Sequence, residues 1–189
     1  MRTTPLPIPQ ARGVTLIELM VVIAVLTVLV MVAVPSFSDL LAKKRVEGAL
    51  TQLTADLNFA RSEAVVRNTD VSVTFGSGCY VIHTTGSTAT SCAQSGAPTL
   101  GTGALQVKLV QLDPASTISF SPNDSMTSLT FDSLRAMATS NGIDTTSGSV
   151  NINSSVGSWQ LRVSVVRMGR TQACSPNSSF TGHGYSSTC

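Results

Sequence analysis

The chain has 189 residues, 42% of them hydrophobic and only 12% charged, where an ordinary soluble domain is about 25% charged. That length leaves room for one modest domain beside a hydrophobic segment. The residues after Gly13 hold ten basic and ten acidic side chains, so bulk charge gives no support to a nucleic-acid partner.

The first element is a short basic leader. Arg2 and Arg12 are its charges, and no acid precedes Gly13. The run "VTLIELMVVIAVLTVLVMVAV" then covers residues 14–34 and is apolar except for Thr15, Thr27 and Glu18. As a helix it would be about 31 Å long, which matches a hydrocarbon core of roughly 30 Å. A cleaved secretory signal has a shorter apolar core followed by a small-x-small site. The sequence "VPSFSDLLAKKR" offers no such site, so the run is expected to be retained. Charge does not fix its orientation, because Arg2 and Arg12 on one side face Lys43, Lys44 and Arg45 on the other. Glu18 is the anomaly. A carboxylate at the centre of a membrane helix costs about 2.5–3.5 kcal/mol on insertion scales. The cost is lower near a helix end, where the side chain can snorkel to the headgroups, but a cation brought close to it would remove the penalty.

The stretch "RGVTLIELM" resembles the class III signal of type IV prepilins and type II secretion pseudopilins. The resemblance implies cleavage by a prepilin peptidase between Gly13 and Val14, followed by N-methylation of Val14. Phe is usual where this chain has Val14, and slower processing is the most that this departure implies. Glu18 matches the glutamate that in this family pairs with the N-terminal amine of a neighbouring subunit. Pro35 matches the proline that interrupts or bends the helix after its apolar half.

Beyond Pro35 a helical period resumes. Leu50, Leu53, Leu57, Ala60 and Ala64 recur at spacings of three and four, one face of an amphipathic helix. Lys43, Lys44, Glu47, Asp56, Arg61 and Glu63 are assigned to its polar surface, and "RNTD" predicts its end near Asn68. The run "LTADLNFARSEAVVRN", leading into "VSVTF", is similar to the GspH/FimT branch of the same family.

From Val71 the period becomes two. "VSVTF", "YVIH", "LQVKLV", "TISF", "SLTF" and "WQLRVSV" are strand candidates. They are separated by "TTGSTATSCAQSGAPTLGTG" and "SPNDSM", which read as surface loops. Cys79, Cys92, Cys174 and Cys189 form two sequence-local pairs. They lack C-x-x-C spacing, and His83 and His183 are not arranged around them, so a metal site is not expected. In an oxidising compartment, Cys79–Cys92 and Cys174–Cys189 are the preferred bridges among three connectivities; four free thiols are the alternative.

No nucleophile elbow, phosphate loop, zinc-protease motif or dinucleotide fingerprint is present. Asp132 in "FDSLR" reads as a turn cap. No enzyme activity and no cofactor are expected. The tail "VVRMGRTQAC" is similar to the C-terminal G-R-x-R element of FimT-type minor pilins, which is implicated in DNA binding. Arg170 matches its first arginine, but Gln172 stands in place of the second. Arg162 and Arg167 add charge to an end that has no acid after Asp144. Few arginines imply weak, salt-sensitive contacts to DNA. Solvation of a strand edge is the plainer role.

These readings converge on an α+β, pilin-like fold: a long N-terminal helix, half membrane anchor and half amphipathic, with a β-rich head. The expected organisation is a cleaved leader over residues 1–13, a transmembrane helix over 14–34, an amphipathic helix over 35–68 and a periplasmic head over 69–189. The expected function is that of a minor pseudopilin or minor pilin in a type II secretion pseudopilus or type IV pilus. The alternative is a DNA-binding minor pilin of a transformation pilus. Expected partners are other pilins, the prepilin peptidase, the inner-membrane assembly platform and membrane lipid.

Overall fold

A computed structural model describes residues 13–123, 126–141, 147–180 and 184–187, without the side chains of 32–36 and 147. The chain divides into two units, residues 1–38 and 39–189. Helix α1 (Leu16–Arg67) begins in the first and ends in the second.

In the first unit α1 starts at an N-cap threonine. The Glu18 backbone N–H donates to Thr15 Oγ1 at 3.3 Å, and Leu19 N–H donates to the Thr15 carbonyl at 3.2 Å. Thr15 is therefore the N-cap and Glu18 the third helical residue, in the S/T-x-x-E pattern. Thr27 returns its hydroxyl to the Ile23 carbonyl at 2.8 Å, which satisfies that polar group inside an apolar stretch. From Val14 to Met31 the large apolar side chains are exposed on all faces of the helix. Among the described residues no helix is long and apolar enough to cross a membrane; the predicted anchor extends to Val34, three residues past the last one whose side chain is described. The helical backbone continues through Pro35.

In the second unit α1 ends in a Schellman motif. Asn68 takes φ +49°, its N–H donates to the Val65 carbonyl, and Thr69 N–H donates to the Ala64 carbonyl. The chain then enters an antiparallel sheet in the order β3-β2-β1-β5-β6, from β1 (Val71–Gly76), β2 (Cys79–Thr84), β3 (Gln106–Gln111), β5 (Ser128–Phe131) and β6 (Ala138–Ser140). A second antiparallel sheet runs β4-β7-β8-β9, from β4 (Ile118–Pro122), β7 (Ser147–Ser154), β8 (Gln160–Val166) and β9 (Thr171–Cys174). The predicted Leu/Ala stripe, extended by Val46, is buried and joins one core with Val73, Tyr80, Ile82, Phe120, Phe131, Ile152, Leu161 and Val163. Trp159 donates its Nε1–H to Asp39 at 2.6 Å, and the Lys43 ammonium lies 5.2 Å from the Trp159 ring centroid. These contacts tie the start of this helical half to the β7–β8 turn.

The structure changes or sharpens three expectations. Asp56 is buried rather than on the polar surface. The segment 85–105 is a largely exposed loop, as expected, but an anchored one. It folds back with a Ser91–Thr99 bridge and is held to β2 by the Cys79–Cys92 disulfide. It also receives the Gln111 amide on the Ala93 and Gly96 carbonyls. Strands β6, β7 and β9 were not anticipated, because their residues lack apolar alternation. The Cys174–Cys189 pairing includes a residue outside the described ones.

The Cys79–Cys92 bridge spans 13 residues of sequence, and the chain-entropy estimate for such a loop is about 3 kcal/mol. A Cys79→Ser/Cys92→Ser double variant is expected to unfold with about that loss in urea titration. Amide exchange is expected to accelerate first in 85–105; a melt and exchange pattern equal to wild type would contradict this.

Candidate functional site

Two regions carry the residues singled out by the sequence. The first is the start of α1. Val14, Leu16 and Ile17 are all exposed, and both threonine hydroxyls of the apolar run are satisfied within the helix. Glu18 is exposed too, and among the described residues nothing pairs with its carboxylate. A carboxylate in the first turn is favoured by the helix dipole, and its position fits the return bond of a capping box. Gly13 and Val14 precede the helix as exposed, irregular chain.

The second region is the β8–β9 end of the head. Arg162, on β8, is half-buried, with its Nε–H donating to Asn151 Oδ1 at 2.7 Å. Arg167 and Arg170 are exposed and flank the turn between β8 and β9. The structure thus places Arg167 and Arg170 together and puts Arg162 in a side-chain network on the sheet. Gly169 is fixed by geometry. Its φ is +73°, and a Cβ there would lie 2.7 Å from the Ala136 carbonyl oxygen and 2.8 Å from Arg61 Nε. Arg61 itself donates to that Ala136 oxygen at 3.2 Å. The Gly-Arg of the tail element is therefore a turn built against α1, which explains the glycine independently of any ligand.

The remaining polar groups of the head are structural in their geometry. Asp56 accepts from Tyr80 Oη at 2.7 Å and from Lys108 Nζ at 2.6 Å. Burial, together with the hydrogen bond to Asp56 and its charge, pushes the Tyr80 hydroxyl well above its ordinary value. His83 is buried with Nδ1 2.9 Å from the Thr84 carbonyl and Nε2 2.9 Å from Thr74 Oγ1. Facing a carbonyl, Nδ1 carries the proton, so Nε2 accepts from Thr74. Desolvation lowers the His83 pKa, opposed in part by the bond to Thr84. Asp132 caps its turn, accepting Leu134 N–H at 2.6 Å. No cluster of metal-ligating side chains occurs among the described residues. His183 lies outside them.

An N-capped helix that exposes apolar side chains on all sides, and a two-sheet head folded on the helix beyond Asp39, define a pilin-type subunit. The family described as type II transport protein GspH matches residues 49–169, and the prokaryotic N-terminal methylation motif matches residues 8–34. The chain belongs to the GspH family and is a structural subunit of the minor pseudopilin or minor pilin kind. No curated protein matches it in sequence. Among solved structures it is similar to the type IV minor pilin FimU of Pseudomonas aeruginosa in space group P21. That match has a TM-score of 0.51 at 18% identity, over 69% of this chain and 88% of that one. The same protein in space group P65 matches with a TM-score of 0.48 at 20% identity, over 67% and 90%. The P21 match concerns the fold.

Two predictions follow from the geometry of the head. Gly169→Ala forces a side chain into a left-handed turn against Ala136 and Arg61, and is expected to cost roughly 1–3 kcal/mol in denaturant unfolding; a neutral effect would show the turn to be free to move. For His83, unfolding frees the ring to take a proton near 6.5, while the folded ring resists it. Its contribution is full above about pH 6.5 and is lost as pH falls toward the lower folded pKa. Urea titrations at pH 7 and pH 5 should show lower stability at pH 5, with a smaller difference in His83→Gln.

Proposed function

We propose that the chain is made as a prepilin, cut between Gly13 and Val14, and methylated on the new Val14 amine. It is then built as a minor subunit into the filament of a type II secretion system or a type IV pilus. Prepilin peptidase and the inner-membrane assembly platform are its partners before incorporation, with other pilins its partners in the filament. Before assembly it is a single-pass protein of the bacterial inner membrane with its head in the periplasm. The exposed apolar residues between 14 and 31 support the anchor, and the Cys79–Cys92 bridge supports an oxidising compartment for the head. Pro35 serves as the bend between the apolar and amphipathic halves of α1.

The observation that carries this reading is Glu18, an acid without a partner among the described residues, within the stretch matched by the methylation motif. Cleavage after Gly13 creates an amine four residues before it in sequence. In a medium of low dielectric, the amine of a neighbouring subunit is attracted far more strongly than in water. That pairing also removes the cost of leaving either charge desolvated and alone.

Mass spectrometry of the protein from peptidase-positive cells is expected to find N-methyl-Val14 at the mature terminus; an intact Met1 would sink the reading. Glu18→Gln removes the charge of the glutamate while keeping the size and hydrogen-bonding capacity of the side chain. The variant is expected to be processed and membrane-bound but to fail to enter filaments. Normal assembly of Glu18→Gln would overturn charge pairing as the function of this residue.

A further inference from the structure

Turns 132–137 and 166–170 lie side by side at the edge of the head. The Ala138 N–H donates to the Arg167 carbonyl at 2.8 Å, and Gly169 packs against the Ala136 carbonyl and the Arg61 side chain. Each turn is closed internally. Ala136 N–H donates to the Asp132 carbonyl, Asp132 N–H to the Met137 carbonyl, and Val166 N–H to the Arg170 carbonyl. The first turn is also tied to the segment after α1 by Ser133 N–H donating to Asp70 Oδ1 at 2.8 Å. Ala136 is held at φ +52°, an uncommon conformation for a residue with a side chain.

These rigid turns hold apolar side chains out to solvent. Leu134 is 83% exposed and Met168 75% exposed. Arg135, Arg167 and Arg170 are exposed beside them. The acid in these turns, Asp132, has Oδ1 engaged by the Leu134 N–H. Below them a groove lined by Asn58, Arg61, Ser62, Val65 and Ala136 runs along α1. Methionine and arginine beside exposed aliphatic groups are the composition of a protein interface core. Ordering the turns in advance lowers the cost of binding. The cationic rim calls for carboxylates on the partner.

We propose that the paired turns are a docking knob for a neighbouring pilin-type subunit that presents an apolar depression rimmed by carboxylates. The proposal rests on the filament role above and adds where the head makes its contact. Leu134 and Met168 fill the depression, and Arg135 and Arg170 face its carboxylates. Arg61 is a positioning residue, holding the Ala136 carbonyl and, through it, the relation of the two turns.

The test places a photo-crosslinking amino acid at position 134 or 168 of the full-length chain, in cells that carry the whole assembly system with each pilin-type subunit tagged. Processing at Gly13 and membrane recovery are read in the same samples. The expected result is a crosslink from both positions to a tagged pilin-type subunit. It should be lost on Arg135→Glu/Arg170→Glu and retained with Arg135→Lys/Arg170→Lys, with processing unchanged throughout. Correct processing with no crosslink to any pilin-type subunit overturns the proposal, while leaving the filament role intact. Crosslinks to lipid or to nucleic acid instead overturn it in favour of those polyanions. Failed processing would instead count against the filament role, and a crosslink that survives the glutamate variants overturns the charge argument.

Discussion

Everything in the head depends on covering one stripe of α1. Val46, Leu50, Leu53, Leu57, Ala60 and Ala64 are apolar at a helical period and cannot be covered by the helix itself. Two sheets share the task. A fully buried leucine contributes about 1.5–3 kcal/mol relative to exposure, and the stripe shares one core with the apolar side chains of both sheets. The Schellman turn at Asn68 then reverses the chain directly into β1, so the first strand begins within reach of the face it must cover.

The elements that were legible in the sequence are those whose stability comes from this burial. The stripe shows a period of three and four, and β1, β2, β5 and β8 show runs or alternation of apolar residues. Strand β7 was not legible, because it is a central strand made of Ser, Gly, Asn, Val and Ile. It buries Val150 and Ile152 on one side and spends Asn151 and Asn153 on lateral bonds to Arg162 and Gln160. Such a strand is defined by neighbours distant in sequence, not by its own propensity. Asp56 was misassigned for a similar reason. A carboxylate in a helix reads as surface until Tyr80 and Lys108, far along the chain, are known to meet it. At the start of α1 the glutamate was legible from its misfit with the apolar run around it.

Asp56 and Glu18 stand on the same helix and pose the same electrostatic problem. A carboxylate removed from water needs partners, because the desolvation penalty of an isolated charge exceeds what a folded domain can absorb. Asp56 finds them inside the chain, in a phenol and an ammonium supplied by β2 and β3. That arrangement locks the helix to the sheet and closes the question for the head. Glu18 has no such partner among the described residues, and its surroundings are the apolar side chains of residues 14–31. In water it costs nothing, and so it says nothing. In a bilayer or a packed filament core it becomes costly unless a cation arrives from another molecule. The difference between the two acids is where the partner comes from. One stabilises a fold, and the other makes burial of the apolar segment conditional on a neighbour.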